Sequence, residues 1–263
     1  MTAMIKIDDY AYTSGLKDVH PVEKVSFALI FLLFTIISKN IWVACFTFTV
    51  MSIGVLFKAK IPFIAYLKLL FVPFVFLMTS LVAILFSIAP IYQEDIEVLW
   101  MAEIGLWQIY ISSYSIQQSY ELATTILASV SCLYFLVLST PLNQFIWVFK
   151  KVKLPAVFVE LMGITYRFIF VLLEKMNEIY IAQSSRLGYQ NYRSWFSSVA
   201  QLIVSLFVKS MSSAKELQIA IDSRGGDEHL YDVDLSMGYN RGHFVIIIFS
   251  FITLFMIYIM TKS

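Results

Sequence analysis

Long apolar runs separated by polar connections dominate the chain. Five of them approach the roughly 20 residues that a helix needs to cross a bilayer core about 30 Å thick. They cover residues 21–38, 41–57, 63–89, 121–139 and 243–260. The pattern therefore predicts five transmembrane helices. Residues 96–113 are also rich in apolar residues but include Glu97 and Glu103. We assign them to an external or interfacial segment with some strand character.

Residues 140–242 follow a different pattern, in which apolar residues recur at the spacing of one helical face. Such spacing is typical of helices that bury one side only. A short basic helix is predicted over 143–151, and two longer helices follow, one from Pro155 and one over 195–222. A membrane span over the first long helix is disfavoured, because Arg167 near its middle would cost about 2.5–3.5 kcal/mol on insertion scales.

These patterns divide the chain into three parts. Residues 1–139 hold an N-terminal segment and four transmembrane helices, residues 140–242 hold the amphipathic helices, and residues 243–263 hold the last transmembrane helix. The predicted fold class is an all-α membrane protein. The composition agrees, since 59% of the residues are hydrophobic and only 14% are charged, whereas a soluble domain has about 25% charged residues.

Lysine and arginine are distributed unevenly along the chain. The loop from Pro90 to Tyr120 has none, whereas residues 140–242 have eleven. Loops retained in the cytoplasm are enriched in these two residues. Placing the N-terminus in the cytoplasm puts seventeen of the nineteen basic residues there and leaves Lys39 and Lys262 outside. The distribution predicts a multi-pass protein with a cytoplasmic N-terminus and a cytoplasmic segment 140–242.

The two long amphipathic helices end in similar motifs. The first ends in Ser185-Arg186-Leu187-Gly188 and the second in Ser223-Arg224-Gly225. One interpretation is a pair of helix C-caps, in which glycine takes the left-handed conformation and arginine interacts with the helix dipole. The other is a paired docking site, because the planar guanidinium group can bind carboxylates or helix-terminal carbonyls through two hydrogen bonds. The presence of two copies favours docking.

The sequence lacks the motifs of an ATPase and of a histidine-based metal site. No stretch matches the loop that cradles phosphate in ATPases, and the three histidines are scattered along the sequence. The acidic stretch 227–234 is the one group of potential metal ligands, and we expect it to be solvated. The sequence therefore predicts no catalytic residues, no resident metal or cofactor, and no nucleic-acid partner.

Further motifs extend along almost the whole chain. They are Ile7-Asp8-Asp9-Tyr10-Ala11-Tyr12-Thr13-Ser14, Val19-His20-Pro21 with Lys24, Ser139-Thr140-Pro141-Leu142, Val159-Glu160-Leu161 and Thr165-Tyr166-Arg167. Together with the arginine motifs they resemble the transmembrane T component of energy-coupling factor (ECF) transporters, the CbiQ/EcfT family, and most closely the CbiQ branch that serves cobalt uptake. The first arginine motif departs from the family's Ala/Ser-Arg-Gly signature, because Leu187 follows the arginine. The region near Tyr120-Glu121 also lacks an arginine found in relatives.

The resemblance implies a coupling subunit in the cell membrane of a prokaryote. Such a subunit joins two cytoplasmic ATPase subunits to a substrate-binding membrane (S) subunit. The arginine motifs would dock the ATPases through Ser185, Arg186, Gly188, Ser223, Arg224 and Gly225. The chain itself would not be an enzyme, since its partners would supply ATP hydrolysis. The implied cargo is the cobalt ion, with nickel or a vitamin as the alternative.

Two functions from other classes remain alternatives at this stage. A lipid-modifying membrane enzyme would use Arg167, Arg186 or Arg224 to bind phosphate and the aspartates within 227–234 to hold a metal. No carboxylate pair at the end of a predicted span supports it. A self-sufficient secondary transporter would need inverted repeats and polar residues at mid-membrane. The five apolar runs show neither.

Overall fold

The computed structural model describes residues 2–90, 98–104, 107–223, 225, 238 and 241–262. Within them, helices account for most of the chain, which confirms the predicted all-α membrane class. The helices are α1 (Thr2–Thr13), α2 (Pro21–Ser38), α3 (Ile41–Ile53), α4 (Phe63–Leu85), α5 (Ser113–Ser139), α6 (Leu142–Lys151), α7 (Ala156–Ser185), α8 (Tyr192–Asp222) and α9 (Arg241–Lys262). A single π-helical turn, Gly54–Lys58, continues α3.

Among the described residues, six helices are long and apolar enough to cross a membrane. Four of them, α2 to α5, correspond to predicted spans, although α3 is completed by its π-helical turn. The fifth predicted span is α9, whose apolar part, Val245–Thr261, is shorter. The other two candidates by length and composition are α7 and α8, which the sequence analysis assigned to the cytoplasm. The protein is thus a multi-pass membrane protein.

Helix boundaries differ from the sequence prediction where a capping residue or a strand intervenes. The third predicted span was drawn to residue 89, but α4 ends at Leu85 and strand β1 (Ser87–Pro90) follows. The fourth was drawn from residue 121, but α5 begins at Ser113. The Ser112 side chain accepts a hydrogen bond from the Tyr114 N–H (3.2 Å) and caps this earlier start.

A small antiparallel sheet joins α4 to α5. Strands β2 (Val98–Ile104) and β3 (Trp107–Ser112) pair with each other, and β1 pairs with the other edge of β3. The strand character predicted within residues 96–113 is therefore confirmed. Residues 91–97, with the acidic loop residues Glu94, Asp95 and Glu97, lie outside the described residues.

The chain divides into two compact units. The first comprises residues 1–144 and 236–263, and the second comprises residues 145–235. In the first unit α5 packs against α1, α2, α3 and α4, and α9 packs against α2 and α3. Fully buried side chains such as Phe31, Met51 and Leu138 form its core. Thr35 Oγ1 donates to Thr47 Oγ1 (3.0 Å) and links α2 to α3 within this core.

Lys24 is deeply buried in the first unit, with 3% of its surface exposed. Its ammonium group donates to Leu16 O (3.0 Å), Ser139 O (2.9 Å) and Gln144 Oε1 (2.7 Å). Gln144 Nε2 in turn donates to Lys17 O (2.8 Å). All three ammonium protons are thereby used. The network fixes the loop after α1, the end of α5 and the first turn of α6 to one another.

Hydrogen bonds also show which helix ends of the first unit lie together. The Gly15 N–H donates to Ala59 O (3.2 Å), which places the loop after α1 beside the end of the π-helical turn. At the opposite end of α2, Asn40 Nδ2 donates to Thr261 Oγ1 (2.7 Å). The C-terminal end of α9 therefore lies beside the turn that contains Lys39.

Candidate docking motifs at the ends of the long helices

Helix α7 ends in a complete Schellman motif. Arg186 is the C-cap residue, with φ −94° and ψ 15°. The Gly188 N–H donates to Gln183 O (2.9 Å), and the Leu187 N–H donates to Ser184 O (3.0 Å). These two bonds satisfy carbonyls that the end of the helix leaves without partners. The first arginine motif thus has the backbone conformation of an ordinary helix C-terminus.

Leu187 occupies the position that requires a left-handed conformation, with φ +61°. This position follows the C-cap and is usually glycine, because a Cβ atom is unfavourable there. Leu187 follows the arginine directly, at the place where the family signature has glycine and the second motif has Gly225, and both residues have a positive φ.

Gly188 is needed for a different reason, which is close packing rather than a positive φ. A Cβ atom at this position would lie 2.6 Å from Ser198 Oγ and 2.9 Å from Gln183 O. The Gly188 carbonyl accepts hydrogen bonds from Ser194 Oγ and Ser198 Oγ, both at 2.8 Å. Two serines of α8 therefore hold the turn after α7 in place, a role that the sequence analysis did not foresee.

Arg186 is exposed at this turn. In the part of the chain that the structure describes, no carboxylate lies within ion-pair distance of its guanidinium group. The neighbouring Ser185 Oγ donates to Ile181 O (3.0 Å) in its own helix. The helix terminus therefore presents a charged group with unused hydrogen-bond donors next to an ordered turn.

The second motif ends α8 in a related way. Ser223 is the C-cap residue, with its N–H donating to Ile219 O (3.0 Å). Gly225 has φ +92° and no atom within 4 Å of the position that a Cβ would occupy. Arg224 lies outside the described residues, as does the acidic stretch 227–234. Its assignment to docking stays a prediction.

Helices α7 and α8 pack against each other in the second unit. Few of their residues are buried: Val159 and Gly163 in α7 and Ser198 in α8. Large apolar side chains are exposed along both helices, including Leu161, Ile169, Ile203 and Phe207. Exposed apolar surface of this extent is typical of a site that binds another protein or lipid.

Comparisons with known proteins agree with the motifs. The model of a family described as CbiQ, cobalt transport protein, matches residues 13–233. An uncharacterized protein of Methanocaldococcus jannaschii is 32% identical over 218 residues, which cover 83% of this chain and 79% of that protein.

Two further relatives carry names. A protein of Methanocorpusculum labreanum named as a fused cobalt transport protein CbiMQ is 28% identical over 237 residues, which are 90% of this chain and 38% of the longer fused protein. The cobalt transport protein CbiQ of Salmonella typhimurium is 29% identical over 161 residues, covering 60% of this chain and 70% of that protein. With the family match extending from the last residue of α1 to beyond α8, the resemblance inferred from the motifs is confirmed, and the chain belongs to the CbiQ family of cobalt transport proteins.

Proposed function

We propose that this chain is the transmembrane coupling subunit of an ECF-type transporter for cobalt ions. In this role it transmits ATP-driven motion from two cytoplasmic ATPase subunits to a separate substrate-binding membrane subunit. The chain holds no ATPase loop in its sequence, so the motor belongs to its partners. The relatives named as cobalt transport proteins support cobalt as the cargo.

The observation that carries the proposal is the exposed Arg186 at the end of a 30-residue helix. A residue that only caps a helix gains by bonding its own terminal carbonyls. Here, however, backbone N–H groups already satisfy Gln183 O and Ser184 O. The guanidinium group is therefore available for a partner, and its fork suits carboxylates or the carbonyls of another helix end.

The exposed apolar faces of α7 and α8 supply the second contact that the proposal requires. A membrane-embedded partner offers an apolar surface, and Ile203 and Phe207 of α8 are each at least 60% exposed. When nucleotide binding closes the ATPase pair, the anchored helix ends move with the ATPases. Rigid helices then carry this movement to the substrate-binding subunit.

The proposed orientation places the N-terminus and residues 140–242 in the cytoplasm and the C-terminus outside. The structure of the first unit supports it. The Asn40–Thr261 hydrogen bond puts the end of α9 beside Lys39, so the two helix ends assigned to the outside lie together. At the opposite end of the first unit, one cavity is lined by Lys24, Lys58 and the start of α9.

The docking assignment is tested by the double variant Arg186→Ala/Arg224→Ala. Loss of a desolvated, hydrogen-bonded arginine at an interface costs about 2–5 kcal/mol of binding, whereas loss of a cap interaction costs a few tenths to about 1 kcal/mol of helix stability. We expect a folded, membrane-inserted chain that no longer co-purifies with the ATPases or supports cobalt uptake. Arg→Lys at both positions should restore binding only in part, because lysine lacks the fork.

Arg193→Ala is the matched control, since Arg193 is an exposed arginine on the first turn of α8 outside either motif. It should leave ATPase binding unchanged. If the double variant still retains the ATPases at the wild-type yield, the two arginines are caps and the docking assignment is wrong.

Orientation is tested separately by labelling single cysteines from outside the cell. A cysteine placed within residues 92–104 should react with a membrane-impermeant reagent, and one placed at Gln190 should not. Gln190 is exposed in the turn between α7 and α8, so burial would not protect it. Labelling at Gln190 but not in 92–104 would reverse the proposed topology.

A further inference from the structure

Leu187 combines two unfavourable features at the first arginine motif. Its backbone is left-handed (φ +61°), and 61% of its side chain is exposed to solvent. A non-glycine residue in this conformation is strained because its Cβ approaches the following carbonyl oxygen. With most of its surface exposed, the leucine recovers little of this cost through burial within its own chain.

The motif itself does not need the leucine side chain. Schellman motifs often include an apolar contact between the residue two places after the C-cap and the residue three places before it. Those residues are Gly188 and Gln183, so Leu187 is not part of such a contact. The Gln183 side chain instead accepts a hydrogen bond at Oε1 from the Tyr189 hydroxyl (2.6 Å). Glycine at position 187 would form the same turn with less strain.

The second motif provides the comparison. Gly225 follows its Ser-Arg pair at the same place and also has a positive φ (+92°). The residue after each arginine thus has a positive φ, but the first motif has a leucine side chain at this place and the second has none. Strain that is retained at an exposed site points to a function for the side chain that causes it.

We propose that Leu187 is an apolar anchor that enters a hydrophobic pocket on the same ATPase subunit that binds Arg186. This inference rests on the proposed function. It makes the two docking sites unequal, because the first binds through an arginine and a leucine and the second through an arginine alone. Backbone hydrogen bonds already order the turn at both residues, so no backbone freedom is lost there on binding.

The test compares Leu187→Gly with Leu187→Asn in the full-length chain reconstituted in lipid nanodiscs. Both replacements accept a left-handed backbone, and both remove the apolar side chain. Binding of the purified ATPase subunit is measured in an Arg224→Ala background, so that the first motif dominates. We expect each variant to weaken binding about tenfold, as removing a leucine from a buried contact does.

The thermal unfolding midpoint of the same variants, measured without ATPase, separates anchoring from a structural role. Leu187→Gly should leave the midpoint unchanged or raise it, because it relieves backbone strain. Weaker binding by a chain of undiminished stability is the expected result. If both variants lower the midpoint and the binding together, Leu187 supports the turn and the proposal is wrong.

Failure of this inference can be told apart from failure of the proposed function. If Arg186→Ala abolishes ATPase binding in the same background while both Leu187 variants bind as before, the docking site stands and the leucine anchor is refuted. If neither Arg186→Ala nor the Leu187 variants changes binding, the turn after α7 does not dock an ATPase at all.

Discussion

The Lys24–Gln144 hydrogen bond should be worth more than an ordinary surface contact. Both side chains are buried, and the bond is short, at 2.7 Å between Lys24 Nζ and Gln144 Oε1. Hydrogen bonds to charged groups contribute about 1.5–3 kcal/mol each. Gln144→Leu removes this bond and the one to Lys17 O, so we expect it to lower the free energy of unfolding by about 2.5–4 kcal/mol.

Lys24→Met should be similarly costly, because it leaves the buried Ser139 O, the partly buried Leu16 O and the Gln144 side chain without their donor. An unsatisfied buried group costs about 1–3 kcal/mol, and the loss is partly offset because the ammonium group is no longer buried. The double variant Lys24→Met/Gln144→Leu removes both members of the pair. Its cost should fall short of the sum of the two single costs by about 1.5–3 kcal/mol, the energy of the shared bond.

The assay is reversible unfolding in detergent micelles, with all four proteins of the mutant cycle under one condition. Lys17→Met is the matched control, because Lys17 enters the network only through its backbone carbonyl and its side chain is exposed. It should change the free energy of unfolding by no more than about 0.5 kcal/mol. A coupling energy within about 0.5 kcal/mol of zero would show that the two side chains act independently and would refute the reasoning.

Three further outcomes are expected. Gly15→Ala should destabilise the fold by about 1–3 kcal/mol, because its Cβ would lie 2.6 Å from Lys58 O, whereas Gly238→Ala, which meets no atom within 4 Å, should not. Thr35→Val should cost about 1 kcal/mol by removing the buried bond to Thr47, and Thr49→Val, whose hydroxyl bonds only within its own helix at Cys45 O, should cost less. The purified chain alone should hydrolyse no ATP and bind no cobalt at micromolar concentration, which phosphate release and calorimetry would check.

The helices of the first unit could be predicted because their runs of apolar residues are long and bounded by polar turns. Lys39-Asn40 separates α2 from α3 in both the sequence and the structure. The N-terminal start of α5 was missed by eight residues, since its first two turns are rich in serine, glutamine and tyrosine. A hydropathy pattern cannot detect such a start. In the structure, the hydrogen bond that the Ser112 side chain accepts marks the beginning of the helix.

The buried polar contacts of the same unit were beyond prediction from one sequence. Lys24 was noted only as part of a family motif, and its position near the start of an apolar run is equally compatible with a lysine whose charge reaches the membrane surface. Two of its three partners, Ser139 and Gln144, lie more than a hundred residues away. Tertiary packing alone brings them within hydrogen-bond distance.

At the candidate docking motifs, residue types were predictable and backbone geometry was not. The sequence identifies two Ser-Arg pairs after long helices, and both helices do end at these pairs. The reason for each glycine, however, could not be inferred from the sequence, because glycine can be required by a positive φ or by close packing. Gly225 meets the first requirement and Gly188 the second.

The contact face of α8 shows why amphipathic spacing alone does not determine packing. Val199, Leu202 and Leu206 recur along α8 at helical spacing and are partly buried, but the neighbouring Ile203 is 60% exposed. Ser198 is buried instead, with its hydroxyl bonded to Gly188 O. Small side chains let two helices approach closely, so shape rather than hydrophobicity selects this face. The large apolar residues that are left outside stay exposed, and on a pair of helices with so small a core such a surface is typical of contact with another protein or with lipid.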